Sequence, residues 1–108
     1  MKKALVLLAL VVTNAMAFTD DPTAPFDAST LMTTKTTISW EVVPNANVRC
    51  QAESKKRGYG GFGSKVEACS FWEKGLTGNR CIIITNKWTS MHQLGHETRH
   101  CFQGGFHK

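Results

Sequence analysis

The 108-residue chain predicts a small α+β domain, in which an antiparallel sheet of three to four strands carries one C-terminal helix and two disulfides. Three observations predict this fold. Segments rich in β-branched and aromatic residues alternate with short glycine, proline and asparagine turns. A single helical pattern closes the chain. Four cysteines in so short a chain are typical of a disulfide-stapled domain.

The N-terminal segment has the layout of a secretory signal peptide. Lys2 and Lys3 precede the apolar run 4–12, and Ala15 and Ala17 supply small side chains at the positions that a signal peptidase reads. The run is too short to span a bilayer, which takes about 20 apolar residues. We therefore expect a signal peptide over residues 1–17 and a mature chain that is periplasmic or secreted from a bacterium, with no transmembrane segment after cleavage.

Beyond residue 17 we expect an extended N-terminal arm over residues 18–34 and one domain over residues 35–108. The arm contains two prolines and shows no sustained periodicity. Without Lys2 and Lys3 the formal net charge falls from +5 to +3. This mild charge does not point to nucleic acid as a partner.

Four segments read as strands. The segment 36–43 (TTISWEVV) ends at a proline, and 47–54 (NVRCQAES) follows it as a possible second strand across a turn. The segments 66–73 (VEACSFWE) and 80–86 (RCIIITN) flank the turn 75–79. The last of these is the most apolar, which predicts that it lies centrally in the sheet.

The cysteines are expected to form disulfides rather than a four-cysteine zinc site, because no CxxC pair is present. Cys69 and Cys81 flank a turn and could be cross-strand partners, which would leave Cys50 for Cys101. The sequence alone leaves the other two pairings open.

The closing helix is predicted over residues 91–102. Ser90 and Gln93 fit a capping box, and Gly104-Gly105 ends the helix. One stripe is expected to pack on the sheet, formed by Met91, Leu94, Thr98, Cys101 and Phe102. His92, His96 and His100 follow at four-residue intervals and are expected to form a separate face.

Residues 96–100 read HExxH, a motif that on a helix presents two imidazoles to one metal ion. His96 and His100 are the expected ligands of Zn²⁺, with Glu97 as the general base that takes a proton from a zinc-bound water. We expect His107 as the third ligand, brought back by the turn at Gly104. His92 is expected to face solvent or support the site, since ligands eight residues apart on a helix are about 12 Å apart.

On these residues the chain resembles the zincin metallopeptidases, and more loosely the metzincins, whose pattern HExxHxxGxxH is one residue shorter before its third histidine. The ending LGHETRHCFQGGFH also resembles the C-termini of short exported bacterial proteins. The resemblance implies an exported zinc-dependent hydrolase, a small metallopeptidase acting on peptides or proteins. The alternative is a non-catalytic periplasmic module that binds zinc or contacts another protein.

The segment 55–65 (KKRGYGGFGSK) supports several interpretations. The simplest is a mobile hairpin loop kept in solvent by its basic residues. A functional interpretation is a flap over the metal, in which Tyr59 and Phe62 touch the substrate and Tyr59 stabilises an oxyanion. Alternatively, a stapled binding protein without metal would use the basic cluster to contact an anionic polymer.

Overall fold

The computed structural model describes residue 23 and residues 25–105 of the chain. The predicted signal peptide and His107 lie outside the described residues. Ser29–Gly105 form one compact unit. Within the described part of the chain, no helix has both the length and the apolar character needed to cross a bilayer.

The compact unit contains three strands and two α-helices. In chain order they are β1 (Thr36–Val43), α1 (Ala46–Lys56), β2 (Ala68–Gly75), β3 (Gly78–Asn86) and α2 (Met91–Gln103). A 3₁₀ turn, Ala28–Thr30, precedes them. The predicted small α+β fold with a C-terminal helix and two disulfides is therefore confirmed.

The sheet has the strand order β1-β3-β2, so β3 is central, as its apolar sequence predicts. It is mixed rather than purely antiparallel, because β1 runs parallel to β3 while β2 runs antiparallel to it. The mixed order follows from α1, which carries the chain from one edge strand to the other across one face. The β2–β3 hairpin turns tightly between Gly75 and Gly78, where a Cβ on Gly75 would lie 2.6 Å from the Gly78 carbonyl oxygen.

The prediction of a strand over residues 47–54 is wrong, since this segment lies inside α1. Asn45 caps the helix by accepting a hydrogen bond from the Val48 backbone amide at 3.1 Å. Glu53 then pairs with Arg49 and Arg57, one turn away on either side, at 3.5 and 3.3 Å. These local signals favour a helix more strongly than the short apolar pattern favours a strand.

The disulfides are Cys50–Cys69 and Cys81–Cys101, so the suggested pairing of Cys69 with Cys81 is wrong. In the β2–β3 register, Cys69 lies opposite Ile84 and Cys81 opposite Trp72. Since side chains alternate between the two faces of a sheet, the two cysteines point to opposite faces. Each therefore bonds the helix that covers its own face.

The sheet is thus covered by one helix on each face. Below α1 the buried cluster is Cys50, Cys69, Phe71 and Ile84. Below α2 it is Cys81, Ile83 and Cys101, with Trp72, Leu94 and Phe102 packed against it. Each disulfide lies within one of these clusters, so each stabilises the contact between one helix and the sheet.

Replacing Cys81 and Cys101 by alanine should lower the free energy of unfolding by about 3 kcal/mol, because the disulfide closes a loop of about 20 residues in the unfolded chain. Urea unfolding measures this change. Tryptic mapping without reduction checks the connectivity, since lysine or arginine residues separate all four cysteines. A peptide pair joining Cys69 to Cys81 would contradict the observed arrangement.

Candidate functional site

The start of α2 brings two polar side chains into contact. Ser90 caps the helix, and its Oγ accepts a hydrogen bond from the Gln93 backbone amide at 2.9 Å, as predicted. The Gln93 side chain does not reach back to the cap, however. Its Nε2 donates to Glu97 Oε2 at 3.2 Å. The first turn of the helix therefore supports the glutamate of the HExxH motif.

Glu97 lies in the interface between α2 and the sheet and is only 5% exposed. Its Oε1 accepts a hydrogen bond from Ser70 Oγ of β2 at 2.9 Å. Together with Gln93, this gives each carboxylate oxygen one donor. Each oxygen retains capacity to accept a further hydrogen bond, since a carboxylate oxygen has two lone pairs.

Burial raises the pKa of the Glu97 carboxyl above its ordinary value, because removing it from water disfavours the charged form. The Ser70 hydrogen bond, the nearby His96 ring and the Gln93 hydrogen bond each oppose this shift without cancelling it. A raised pKa moves a carboxyl toward the range in which a general base operates at neutral pH.

His100 is buried against β2 in a fixed orientation. Its ring stacks on Trp72, with centroids 5.3 Å apart and planes 4° from parallel. Its Nδ1 lies 2.7 Å from the Gly104 carbonyl oxygen. Because a carbonyl oxygen only accepts, this bond requires the proton on Nδ1, which places the lone pair of the neutral ring on Nε2. Metal-binding histidines are commonly fixed in this way.

His96 lies one turn earlier and is half-buried. Its ring meets that of His100 edge to face, with centroids 5.1 Å apart and planes at 82°. With Zn–N bonds of about 2.0–2.1 Å, two imidazoles on a tetrahedral ion have centroids roughly 5 Å apart. The spacing of the two rings therefore fits a pair of ligands on one ion.

The third predicted ligand, His107, lies outside the described residues. Among residues 23 and 25–105, no three His, Cys, Asp or Glu side chains are grouped to hold a metal ion. His92 is exposed on α2, as expected for a residue that does not bind the metal. The helix ends at the predicted glycines: α2 stops at Gln103, and Gly104 has a positive φ of 64°.

The helix face that packs on the sheet differs from the predicted stripe. Leu94, Cys101 and Phe102 pack as expected, but Met91 is 84% exposed. Glu97 and His100 are buried instead. The predicted separation between a packing face and a histidine face is therefore wrong for His100, which belongs to both.

The segment predicted as a mobile hairpin loop is instead the connection between α1 and β2. Its backbone is hydrogen-bonded to side chains of α1: the Phe62 amide donates to Gln51 Oε1 at 2.7 Å, and the Gly61 amide donates to Ser54 Oγ at 3.1 Å. The rings of Tyr59 and Phe62 lie near Phe71, with centroids 6.4 and 6.3 Å apart. These contacts hold the two aromatic side chains beside β2.

A cavity of about 300 Å³ lies between this connection and β2. Tyr59 and Phe62 line one side, and Ser70, Phe71 and Trp72 line the other. These three are consecutive residues of an edge strand, so the cavity follows the outer edge of β2. Since Ser70 bonds Glu97 and Trp72 stacks on His100, the cavity adjoins the HExxH residues.

Two residues of the site, Ser70 and Trp72, were not predicted. The alternation of side chains along β2 could have indicated these two residues, because Ala68, Ser70 and Trp72 share the face toward α2. A serine in the middle of an otherwise apolar buried face requires a polar partner. That partner is Glu97.

Comparison of the chain with protein-family models, with curated proteins and with solved structures finds no match in any of the three. The functional interpretation therefore depends on the motif and on the geometry around it.

In metal-free protein, replacing Glu97 by Gln should change stability in a pH-dependent way. The folded state, with its raised Glu97 pKa, keeps a proton that the unfolded chain releases near 4.5. The free energy of unfolding of the wild type therefore falls as pH rises above that value. The variant lacks this titration, so its stability relative to the wild type should increase as the pH rises above 4.5.

Urea unfolding in the presence of a chelator, at several pH values, measures the difference. Glu73→Gln is the matched control, since it removes a carboxylate of β2, the strand that contacts Glu97, but one that lies in an exposed ion pair with Arg80. If the stability of Glu97→Gln relative to the wild type falls or stays constant as the pH rises, the buried, proton-retaining carboxyl is contradicted.

Proposed function

We propose that the protein is an exported zinc-dependent hydrolase, a small metallopeptidase in which His96, His100 and His107 hold the metal and Glu97 is the general base. The observation that carries the proposal is the edge-to-face approach of the His96 and His100 rings at 5.1 Å. The Nδ1 bond of His100 to the Gly104 carbonyl supports it, because this bond orients Nε2 as a ligand atom.

When bound, zinc would lower the pKa of a coordinated water to about 7 and polarise a substrate carbonyl. The protein supplies the orientation of the ligands and the proton transfer. His100 is held by Trp72 and by the end of α2, while Ser70 and Gln93 fix the Glu97 carboxylate. Glu97 would accept a proton at its carboxylate and transfer it to the leaving amine, a role that its raised pKa suits.

The cavity at the edge of β2 supports a substrate-binding role beside these residues. Its volume of about 300 Å³ is at the lower end of the range for ligand sites, about 300–1,000 Å³. Aromatic rings form much of its wall, so it suits a large apolar side chain of a peptide. We propose that Tyr59 and Phe62 contact the substrate in this cavity. The two residues lie in a connection that is held by hydrogen bonds, rather than in a moving flap.

The second candidate is a non-catalytic zinc-binding module, acting through protein contacts. Burial of Glu97 and its two hydrogen bonds are compatible with this candidate as well, because a structural carboxylate that joins α2 to β2 would have the same surroundings. In a structural site, protein side chains fill all four coordination positions, whereas a catalytic site keeps one open. The two disulfides suit an oxidising compartment under either candidate, which supports the proposal that the protein acts in the periplasm or outside the cell.

Zinc analysis of purified protein should give about one ion per chain for the wild type and for Glu97→Gln, but much less for His96→Ala and His100→Ala. Of these four proteins only the wild type should cleave a generic peptide pool, because Glu97→Gln keeps the ligands but removes the base, and the two alanine variants lose a ligand. The loss of activity in Glu97→Gln should be at least about 100-fold.

His92→Ala is the matched control, since His92 is an exposed histidine of the same helix. It should retain both zinc and activity. Equal cleavage by the wild type and Glu97→Gln would contradict the role of Glu97 as base. Zinc loss in His92→Ala, with no cleavage by any variant, would favour the structural candidate instead.

Replacing Phe62 by Ala should lower kcat/KM roughly 3- to 10-fold for peptides with a large apolar side chain near the cleaved bond, because one aromatic wall of the cavity is lost. The change should be smaller for peptides with small side chains. Steady-state cleavage of the two peptide sets measures it. Leu76→Ala is the control, because it alters a fully exposed apolar residue in the β2–β3 turn, and it should leave both kcat/KM values unchanged. An equal loss of kcat/KM for both peptide sets in Phe62→Ala would exclude a specificity role for Phe62.

A further inference from the structure

The two edges of the sheet have different neighbours. The edge formed by β2 adjoins the HExxH helix and the aromatic cavity. On its outer side, the side away from β3, β1 has no strand in the described part of the chain. A strand at an edge presents unpaired backbone amides and carbonyls, which can pair with another chain.

An apolar stripe runs along β1 on the face that α2 covers. It consists of Ile38, Trp40 and Val42, which are 38, 52 and 53% exposed. In the parallel register these residues lie beside Cys81, Ile83 and Thr85, all buried on that face. The stripe is exposed because α2 lies mainly over β2 and β3. The apolar surface of the sheet therefore extends beyond the helix that covers it.

The stripe is held in one arrangement. Trp40 Nε1 donates to Thr85 Oγ1 at 3.0 Å, which fixes the indole on β3 while about half of it faces outward. A side chain that is already ordered loses little rotamer freedom on binding. This favours Trp40 as the central contact of an interface.

The strand lacks the features that protect edge strands from pairing. Residues 36–43 contain neither lysine nor proline. Their single charge, Glu41, lies on the opposite face and pairs with Arg49 at 3.1 Å. Nothing on the stripe itself therefore opposes the approach of another strand.

We propose that β1 is the interface of a homodimer, in which two copies pair their β1 strands antiparallel around a twofold axis at Trp40. In this register Trp40 meets its own copy, and Ile38 of each chain lies opposite Val42 of the other. The side chains of the stripe then form one continuous apolar strip, and Glu41 faces Ser39 rather than another charge. This self-complementarity identifies a second copy of the chain as the occupant.

The area that such a dimer buries is sufficient for a reversible interface. The stripe contributes roughly 300 Å² of apolar surface per copy, mostly from Trp40. Backbone pairing and the other side chains of an eight-residue strand raise the total toward about 1,200 Å², the lower limit of specific interfaces. We therefore expect a dissociation constant on the order of micromolar.

The dimer leaves the proposed catalytic site unobstructed, because β2 is at the other edge of the sheet. Dimerisation would join two three-stranded sheets into one of six strands and remove the β1 edge from solvent. Closure around a twofold axis limits the assembly to two chains.

Sedimentation velocity of the disulfide-bonded protein, from about 1 to about 500 μM, tests the proposal. The wild type should shift from monomer to dimer over this range. Ile38→Glu and Val42→Lys should each weaken dimerisation by at least about 10-fold. Leu76→Lys is the control, since it places a lysine at an exposed leucine that lies outside β1, in the β2–β3 turn, and it should dimerise as the wild type does.

Combining Ile38→Glu with Val42→Lys tests the register, because the antiparallel pairing brings the new carboxylate opposite the new ammonium group in both halves of the dimer. The double variant should recover at least about 10-fold of the affinity lost by the two single variants together. Circular dichroism confirms that each variant is folded. A wild type that stays monomeric at 500 μM, assembly beyond two chains, equal weakening by Leu76→Lys, or no recovery in the double variant would each overturn the proposal.

Discussion

The alternation of side chains along β2 and β3 is the constraint on which the arrangement of this protein depends. It sends Cys69 to one face of the sheet and Cys81 to the other, and each forms a disulfide with the helix on its side. The core below each helix is small, so the disulfides add to the packing that fixes the two helices on the sheet. The covalent bond from Cys81 to Cys101 fixes α2 against β3, and the contacts of Glu97 with Ser70 and of His100 with Trp72 place the HExxH residues beside β2.

The placement of α2 explains the unusual environment of Glu97. In an amphipathic helix a glutamate normally faces solvent, and its burial opposes folding unless the charge is compensated. Here Ser70 and Gln93 each donate a hydrogen bond, and His96 lies nearby. The compensation is incomplete, because the pKa of Glu97 remains raised. A partly compensated buried carboxylate is more often found at a functional site than in an ordinary core, which favours the catalytic candidate over the structural one.

The sequence predicts the elements of this fold better than their mutual arrangement. The strand over residues 36–43, the turn of the hairpin and the capped C-terminal helix all follow from local chemistry, and each is confirmed. The helix α1 could have been predicted too, from the Asn45 cap and the Glu53 ion pairs one turn away on either side. The disulfide connectivity could not be predicted in this way, because it depends on the face of the sheet to which each cysteine points. That face is fixed only by the register in which β2 and β3 pair.

The same distinction holds for the site. The HExxH spacing alone predicts that His96 and His100 come together, because residues four apart on a helix are neighbours. It does not predict which face of the helix points to the sheet. The orientation of the helix depends on the disulfide at Cys101. This orientation brings α2 into contact with Ser70 and Trp72, in a strand more than twenty residues away in sequence. The role of His107 stays a prediction, because that residue lies outside the described part of the chain.

The two edge strands of the sheet lie in different surroundings. At the β2 edge, polar and aromatic groups converge on α2 and leave a cavity beside them. At the β1 edge, the helix does not reach, and an ordered apolar stripe is exposed. The two helices cover the faces of the sheet and leave its edges open. In the functions proposed here, the β2 edge carries the hydrolytic site and the β1 edge forms the dimer interface. In this protein α2 is displaced toward β2 by the contacts of Glu97 with Ser70 and of His100 with Trp72. The interactions that build the proposed catalytic site are therefore the same ones that leave β1 uncovered.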